Sequence, residues 1–182
     1  MKKIICLLTT LITISTFSQK KEFKFNKEGF TDYVVTQCEG RTESELYKKA
    51  LDWVSVTYKN PKEVIKAQIE NDYIKIEGSS NDLACFNIYG HKGCNTSKYT
   101  IEISFKDGKY KFDVLGNIRF LYSEGSWGSI RLDKTSKYYK KKGEIKRRYK
   151  YFPEIANYFN KLNSELKSFL MSENIPSKKS DW

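Results

Sequence analysis

The sequence predicts an α+β domain, a curved antiparallel sheet with two helices packed on one face. Three observations predict it. Apolar residues alternate with polar ones over 65–77 and again over 99–114, the period of strands with one buried and one wet face. Asp107-Gly108 separates the runs 99–106 and 109–114, a strong two-residue hairpin signal. Near the end, Ile155, Phe159, Leu162, Leu166, Phe169 and Leu170 recur at three- and four-residue steps, the stripe of an amphipathic helix. A half-dry sheet needs an apolar cover, and that helix of about 20 residues supplies one.

In chain order, the start is Met1-Lys2-Lys3, an apolar run over 4–14, then Ser15-Thr16-Phe17-Ser18. A positive start, a short apolar run and small residues predict an export signal over residues 1–18, cut after Ser18. The apolar run is shorter than the about 20 residues a membrane-crossing helix needs. Cys6 lies inside the run rather than at its end, which argues against a lipid-modified N-terminal cysteine. Residues 19–29 are polar and lysine-rich and read as a flexible lead-in. A single domain is expected over 30–175 and a tail over 176–182, with no transmembrane segment after signal cleavage.

Within the domain, Tyr33-Val34-Val35-Thr36 has strand composition. Thr42 with Glu45 three residues on makes a capping box, the start signal of a helix. Leu46, Ala50, Trp53, Val54 and Thr57 follow at helical spacing, and Asn60-Pro61 ends the helix. Ile65, Ala67 and Ile69 then alternate with polar residues, and Asn71-Asp72 marks a turn. Ile74 and Ile76, then Tyr99, Ile101, Ile103 and Phe105, then Tyr110, Phe112 and Val114 continue the alternation. The last helix starts at Phe152-Pro153-Glu154, with proline pre-set for the first turn. Asn174 and Pro176 are its stop signals.

Composition bounds the function. Of 182 residues, 39% are hydrophobic and 15% aromatic, which excludes a disordered tail. One histidine leaves no room for a multi-histidine centre. The formal net charge is +11, and a basic exported protein is drawn to anionic lipids, polysaccharides or acidic envelope proteins. Export argues against nucleic acid as the partner and places the chain in the periplasm, or secreted, at the bacterial cell envelope.

Cys38, Cys85 and Cys94 remain after the leader. In an oxidising compartment disulfides persist. Gly90 and Gly93 let the loop between Cys85 and Cys94 fold back, so that pairing is favoured. Cys38 paired with either one stays open. His91 beside these cysteines is chemically able to join a zinc site. Its spacing matches no strong zinc pattern and a disulfide competes for the sulfurs, so no metal and no cofactor are expected. Glu43, Glu45, Glu70, Glu77 and Glu102 sit mostly at capping or solvent-facing positions, and no spacing forces a catalytic pair into one cleft. Neither a nucleophile elbow nor a phosphate-binding glycine loop occurs. No catalytic residue is assigned and the chain is not expected to be an enzyme.

The strongest binding signal is the run 137–151. Lys137, Lys140, Lys141, Lys142, Lys146, Arg147, Arg148 and Lys150 are interleaved with Tyr138, Tyr139, Tyr149 and Tyr151. Cations with aromatics suit phosphates, sugars and lipid headgroups. The plain alternative is a solvated linker or edge segment whose lysines prevent strand pairing. Trp127, between Gly125 and Gly128, is either a binding rim or a partly packed turn residue.

Three stretches resemble a known family. They are Ser-Glu-Leu-Tyr-Lys-Lys-Ala-Leu-Asp-Trp over 44–53, Lys-Asp-Gly-Lys-Tyr-Lys-Phe over 106–112, and Ile-Lys-Ile-Glu-Gly over 74–78. The chain resembles the exported bacterial family called domain of unknown function 4468, from about residue 30 to 171. The resemblance implies a TBP-like fold and a strand–helix–sheet–helix order; it implies no activity and no site residues. The Cys85–Cys94 segment and the lysine-rich stretch near Lys140 are departures from it.

These readings converge on a non-catalytic exported module that binds a partner on its sheet or between sheet and long helix. Two alternatives stand beside it. One is a carrier of an apolar small molecule, held between sheet and C-terminal helix by residues such as Phe105, Phe112, Phe159 and Leu166. The other is a hydrolase-like enzyme that gathers two carboxylates, or His91 with a thiolate.

Overall fold

The computed structural model describes residues 22–173. The leader expected over 1–18 and the tail over 176–182 lie outside the described residues.

Six strands form one antiparallel sheet: β1 (Tyr33–Gln37), β2 (Ile65–Ile69), β3 (Tyr73–Ile88), β4 (His91–Lys106), β5 (Lys109–Leu121) and β6 (Trp127–Ile130). Their order is β1-β5-β4-β3-β2, with β6 beside β5. The register explains the alternation. Val34, Phe112, Ile103 and Ile74 stand in one row across four strands, and all four are buried. The adjacent row is Tyr33, Asp113, Glu102 and Lys75, on the face that meets water.

Helices α1 (Glu43–Thr57) and α3 (Glu154–Met171) cover the apolar face. The capping box at α1 is complete: Thr42 accepts from the Glu45 backbone N–H, and the Glu45 carboxylate accepts from the Thr42 N–H at 2.8 Å. The backbone N–H and the hydroxyl of Thr42 hold that carboxylate below its usual pKa. Leu46, Tyr47, Ala50, Trp53 and Val54 face inward. Thr57, expected in that stripe, is exposed, and Tyr47 takes a place in it, its ring edge-on to Phe105 at 5.9 Å. Pro61 both ends α1 and opens a single turn, α2 (Pro61–Val64). On α3, Ile155, Phe159, Leu162, Leu166 and Leu170 are buried, each worth about 1.5–3 kcal/mol before conformational entropy.

Polar contacts tie α3 to the sheet. Tyr110 donates its hydroxyl to Asn163 Oδ1 at 2.8 Å, and Asn163 Nδ2 donates to Thr36 Oγ1 at 3.2 Å. The hydroxyls of Tyr58 and Tyr158 each lie within 3.2 Å of the Tyr99 hydroxyl. Burial raises all three phenols, Tyr58 to about 12.

Three sequence expectations need correction. Residues 22–29 are not a lead-in outside the domain: Phe23 and Phe25 are core residues. Phe23 exchanges two hydrogen bonds with the Asn160 side chain of α3 and stacks on Phe30 at 5.4 Å. The loop expected between Cys85 and Cys94 is instead the outer end of the β3–β4 hairpin, re-phased by a register shift between Ser80 and Ala84. The glycine-flanked Trp127 begins strand β6 rather than sitting in a turn.

Candidate functional site

The outer end of the β3–β4 hairpin is where the two features set apart in sequence meet. Cys85 faces Cys94 in the strand register and the two sulfurs are bonded at 2.02 Å. Cys38 is buried and free; burial pushes its thiol up against the lowering effect of Lys167 and Arg41. His91 is exposed beside the turn. Both nearby sulfurs are in the disulfide, so no thiolate stands next to it.

Residues 137–151 cross the molecule toward this hairpin. Their tyrosines are packing residues. Tyr138 is 3% exposed and its hydroxyl accepts from the Arg131 N–H at 2.7 Å. That corrects the expectation of Tyr138 as a ligand contact: its ring is spent on Phe152 at 4.8 Å and Tyr149 at 4.9 Å. Tyr139 donates to the Phe25 carbonyl at 3.2 Å. Tyr149 stacks near Phe152 at 5.0 Å and meets Phe86 of β3 at 6.5 Å. Tyr151 is half-buried beneath Lys92 and Lys150, 5.2 and 5.6 Å from its centroid.

The cations separate into two groups. Lys140 pairs with Glu144 at 2.8 Å, Lys146 donates to the Lys137 carbonyl at 2.6 Å, and Lys137 lies over the Tyr138 ring. With exposed Lys141 and Lys142 they surround the Tyr139–Ile145 bridge. Arg147 and Arg148 sit instead on the 3-10 turn Arg147–Tyr149, which packs against β3. Because Tyr149 points inward, its two predecessors are left outside. They line a cleft of about 730 Å³ with Phe86, Ile88, Tyr89 and Tyr122. Arg148 lies 5.7 Å over the Phe86 ring. Among the described residues neither arginine forms an ion pair. Lys92, next to the turn, is held by Glu154 at 2.6 Å, and that hydrogen bond raises its pKa.

Trp127 is outside this cleft. Its ring is approached by Arg119 at 4.8 Å and Lys98 at 5.6 Å. The cleft therefore joins Arg147 and Arg148, both flagged by sequence, with Ile88, Tyr89 and Tyr122, which were not. The sequence signal for Ile88 and Tyr89 was present: an aliphatic and an aromatic directly before Gly90.

The open sheet face offers a different chemistry. Lys75 pairs with Glu102 at 3.2 Å, Lys111 with Asp113 at 2.7 Å, and Glu77 stands 3.7 and 3.8 Å from Lys66 and Lys98. Among the described residues no helix is long and apolar enough to cross a membrane.

Comparison with known proteins gives the fold relatives. No curated protein matches the chain. The crystal structure of a DUF4468 family protein from Bacteroides ovatus superposes with a TM-score of 0.60 at 16% identity, covering 82% of this chain and 90% of that one. The crystal structure of a TBP-like protein from Parabacteroides distasonis gives 0.56 at 12% identity, covering 78% and 92%. At these identities the likeness is one of fold. The family described as "Domain of unknown function (DUF4468) with TBP-like fold" matches residues 33–120, a shorter span than the 30–171 the sequence motifs suggest. Residues 33–120 thus resemble the DUF4468 family, and the α+β fold of the chain is TBP-like.

Proposed function

We propose that this protein is a non-catalytic binding module, exported to the bacterial envelope, that holds an anionic partner at the end of the β3–β4 hairpin. The observation that carries the reading is the cleft with Arg147 and Arg148 free of carboxylate partners among the described residues, over an aromatic floor. A guanidinium is weakly hydrated and matches planar anions with two parallel hydrogen bonds. Anionic lipid, acidic polysaccharide and an acidic envelope protein all present such oxygens. Nucleic acid is not the partner in this reading: the open sheet face, the broad surface of the fold, neutralises its lysines with Glu77, Glu102 and Asp113.

The two alternatives have less support. Phe112, Phe159 and Leu166, named for an apolar cargo, are fully buried. Phe159 is already packed by Phe23, Phe30, Tyr99 and Tyr158 at 5.3–6.0 Å. For a hydrolase, Glu77 and Glu102 are paired with lysines and Glu45 is occupied at the α1 cap.

Retention on immobilised dextran sulfate tests the proposal. Charge reversal by Arg147→Glu with Arg148→Glu is expected to weaken retention about tenfold or more, as loss of charged contacts does in a salt-dependent complex. Reversal by Lys140→Glu with Lys141→Glu is expected to change it less. Equal effects from the two pairs would assign binding to net charge and remove the cleft.

A further inference from the structure

The turn that ends the β3–β4 hairpin breaks a local rule. Ile88 pairs with His91 across a two-residue loop, Tyr89-Gly90. Both loop residues have positive φ, 49° and 99°, as tight hairpin turns of this length need. Asn or Asp followed by Gly is the usual solution, since Asn and Asp tolerate the left-handed region and a bulky ring does not. Tyr89 recovers nothing by packing, for it is 97% exposed. Beside it Ile88 is 49% exposed. Its side chain folds over Gly93, where a Cβ would lie 2.6 Å from Ile88 Cδ1. Residues that violate local preference without a packing return mark functional sites.

The surroundings say what the tip meets. Arg147 and Arg148 border it on one side. Lys92 and Lys150 stand behind it around Tyr151. The nearby Glu154 is already bound to Lys92, and Glu124 accepts from the hydroxyls of Ser123 and Ser126. An aliphatic and an aromatic at the extremity, with a collar of cations below, is the chemistry of an interfacial anchor: a ring with a polar end settles at the headgroup level and cations meet lipid phosphates. A sugar or an acidic peptide would leave Ile88 with no apolar partner.

We propose that the hairpin end docks on an anionic bilayer surface, with Ile88 and Tyr89 entering the interface and Arg147 and Arg148 holding headgroup phosphates. This rests on the anionic-partner reading above and names that partner.

The test uses the chain from Gln19 onward, which contains every described element. Its sedimentation is measured with vesicles of equimolar phosphatidylcholine and phosphatidylglycerol and with pure phosphatidylcholine, and its retention on dextran sulfate is measured in parallel. The wild type is expected to bind the anionic vesicles and not the neutral ones. The tip variant Ile88→Ser with Tyr89→Asn is expected to lose about tenfold or more in vesicle affinity, because two apolar side chains no longer leave water. It should keep its dextran sulfate retention. Tyr89→Asn alone is expected to unfold at no lower temperature than the wild type, because Asn accepts the left-handed backbone, so misfolding does not explain the loss. A tip variant that sediments like the wild type, or a wild type that ignores anionic vesicles, overturns bilayer docking. So does a tip variant that loses dextran sulfate as well. Dextran sulfate retention that survives Arg147→Glu with Arg148→Glu overturns the wider anionic reading instead.

Discussion

The open sheet face and the hairpin end both display cations beside aromatics, yet they differ in how the charge is answered. On the sheet, Lys111 lies over the Tyr33 ring and pairs with Asp113 at 2.7 Å, and Glu77 and Glu102 meet three more lysines. At the hairpin end, Arg148 lies over Phe86 and no described carboxylate answers it. These sheet-face lysines are each answered by an acid, whereas Arg147 and Arg148 at the hairpin end are not, among the described residues. The count of basic residues does not separate the two; the placement of the acids does.

Three changes break or sharpen this contrast, and the largest is Phe152→Ala. Phe152 touches Phe25, Tyr138, Tyr149 and Phe86 at 4.8–6.0 Å, so it fixes the basic run against the hairpin. Its truncation should cost about 3–5 kcal/mol in denaturant unfolding and release Arg147 and Arg148 from the cleft. A variant that keeps both its stability and its dextran sulfate retention would show that the cleft owes nothing to this ring.

Next comes the disulfide. Cys85→Ser with Cys94→Ser opens a link between residues nine apart, worth roughly 2–3 kcal/mol for so short a loop. The loss should be local. Hydrogen exchange is expected to quicken in 81–95 and to stay unchanged at Ile101, Ile103 and Phe112. Uniform quickening across the sheet would contradict that division.

The smallest effect belongs to the sheet face. Glu77→Gln with Glu102→Gln should cost only about 0.2–1 kcal/mol per ion pair. It also leaves Lys66, Lys75 and Lys98 without their acids, and the altered sheet face is expected to retain the chain on dextran sulfate more strongly. Unchanged retention would mean that pairing is not what distinguishes the two surfaces.

The parts of the fold that were legible are those in which local pattern and tertiary burial agree. The α3 stripe, the Thr42–Glu45 capping box and the alternation over 99–114 each follow from residues close in the chain. What was missed depends on distant partners. Phe23 and Phe25 alternate with Glu22, Lys24 and Asn26, and these three polar neighbours hide two rings whose burial depends on distant partners such as Asn160, Phe159 and Phe152. The hairpin beyond Gly78 was hidden because Gly78-Ser79-Ser80-Asn81 has poor strand composition and a register shift resets the period. Gly78 is needed there, since a Cβ would lie 2.4 Å from the Tyr99 ring. In the candidate site the arginines were visible as charge. Their meeting with Ile88 and Tyr89 was not, because some sixty residues separate them and the inward turn of Tyr149 decides which side chains are left outside.

The family span, 33–120, holds most of the sheet but neither α3 nor Phe23 and Phe25. Cut out as a fragment, it would keep α1 but lose α3, leaving part of the apolar face uncovered and prone to stick to its own copies. The two helices that roof the sheet therefore divide: α1 lies inside the matched span and α3 outside it.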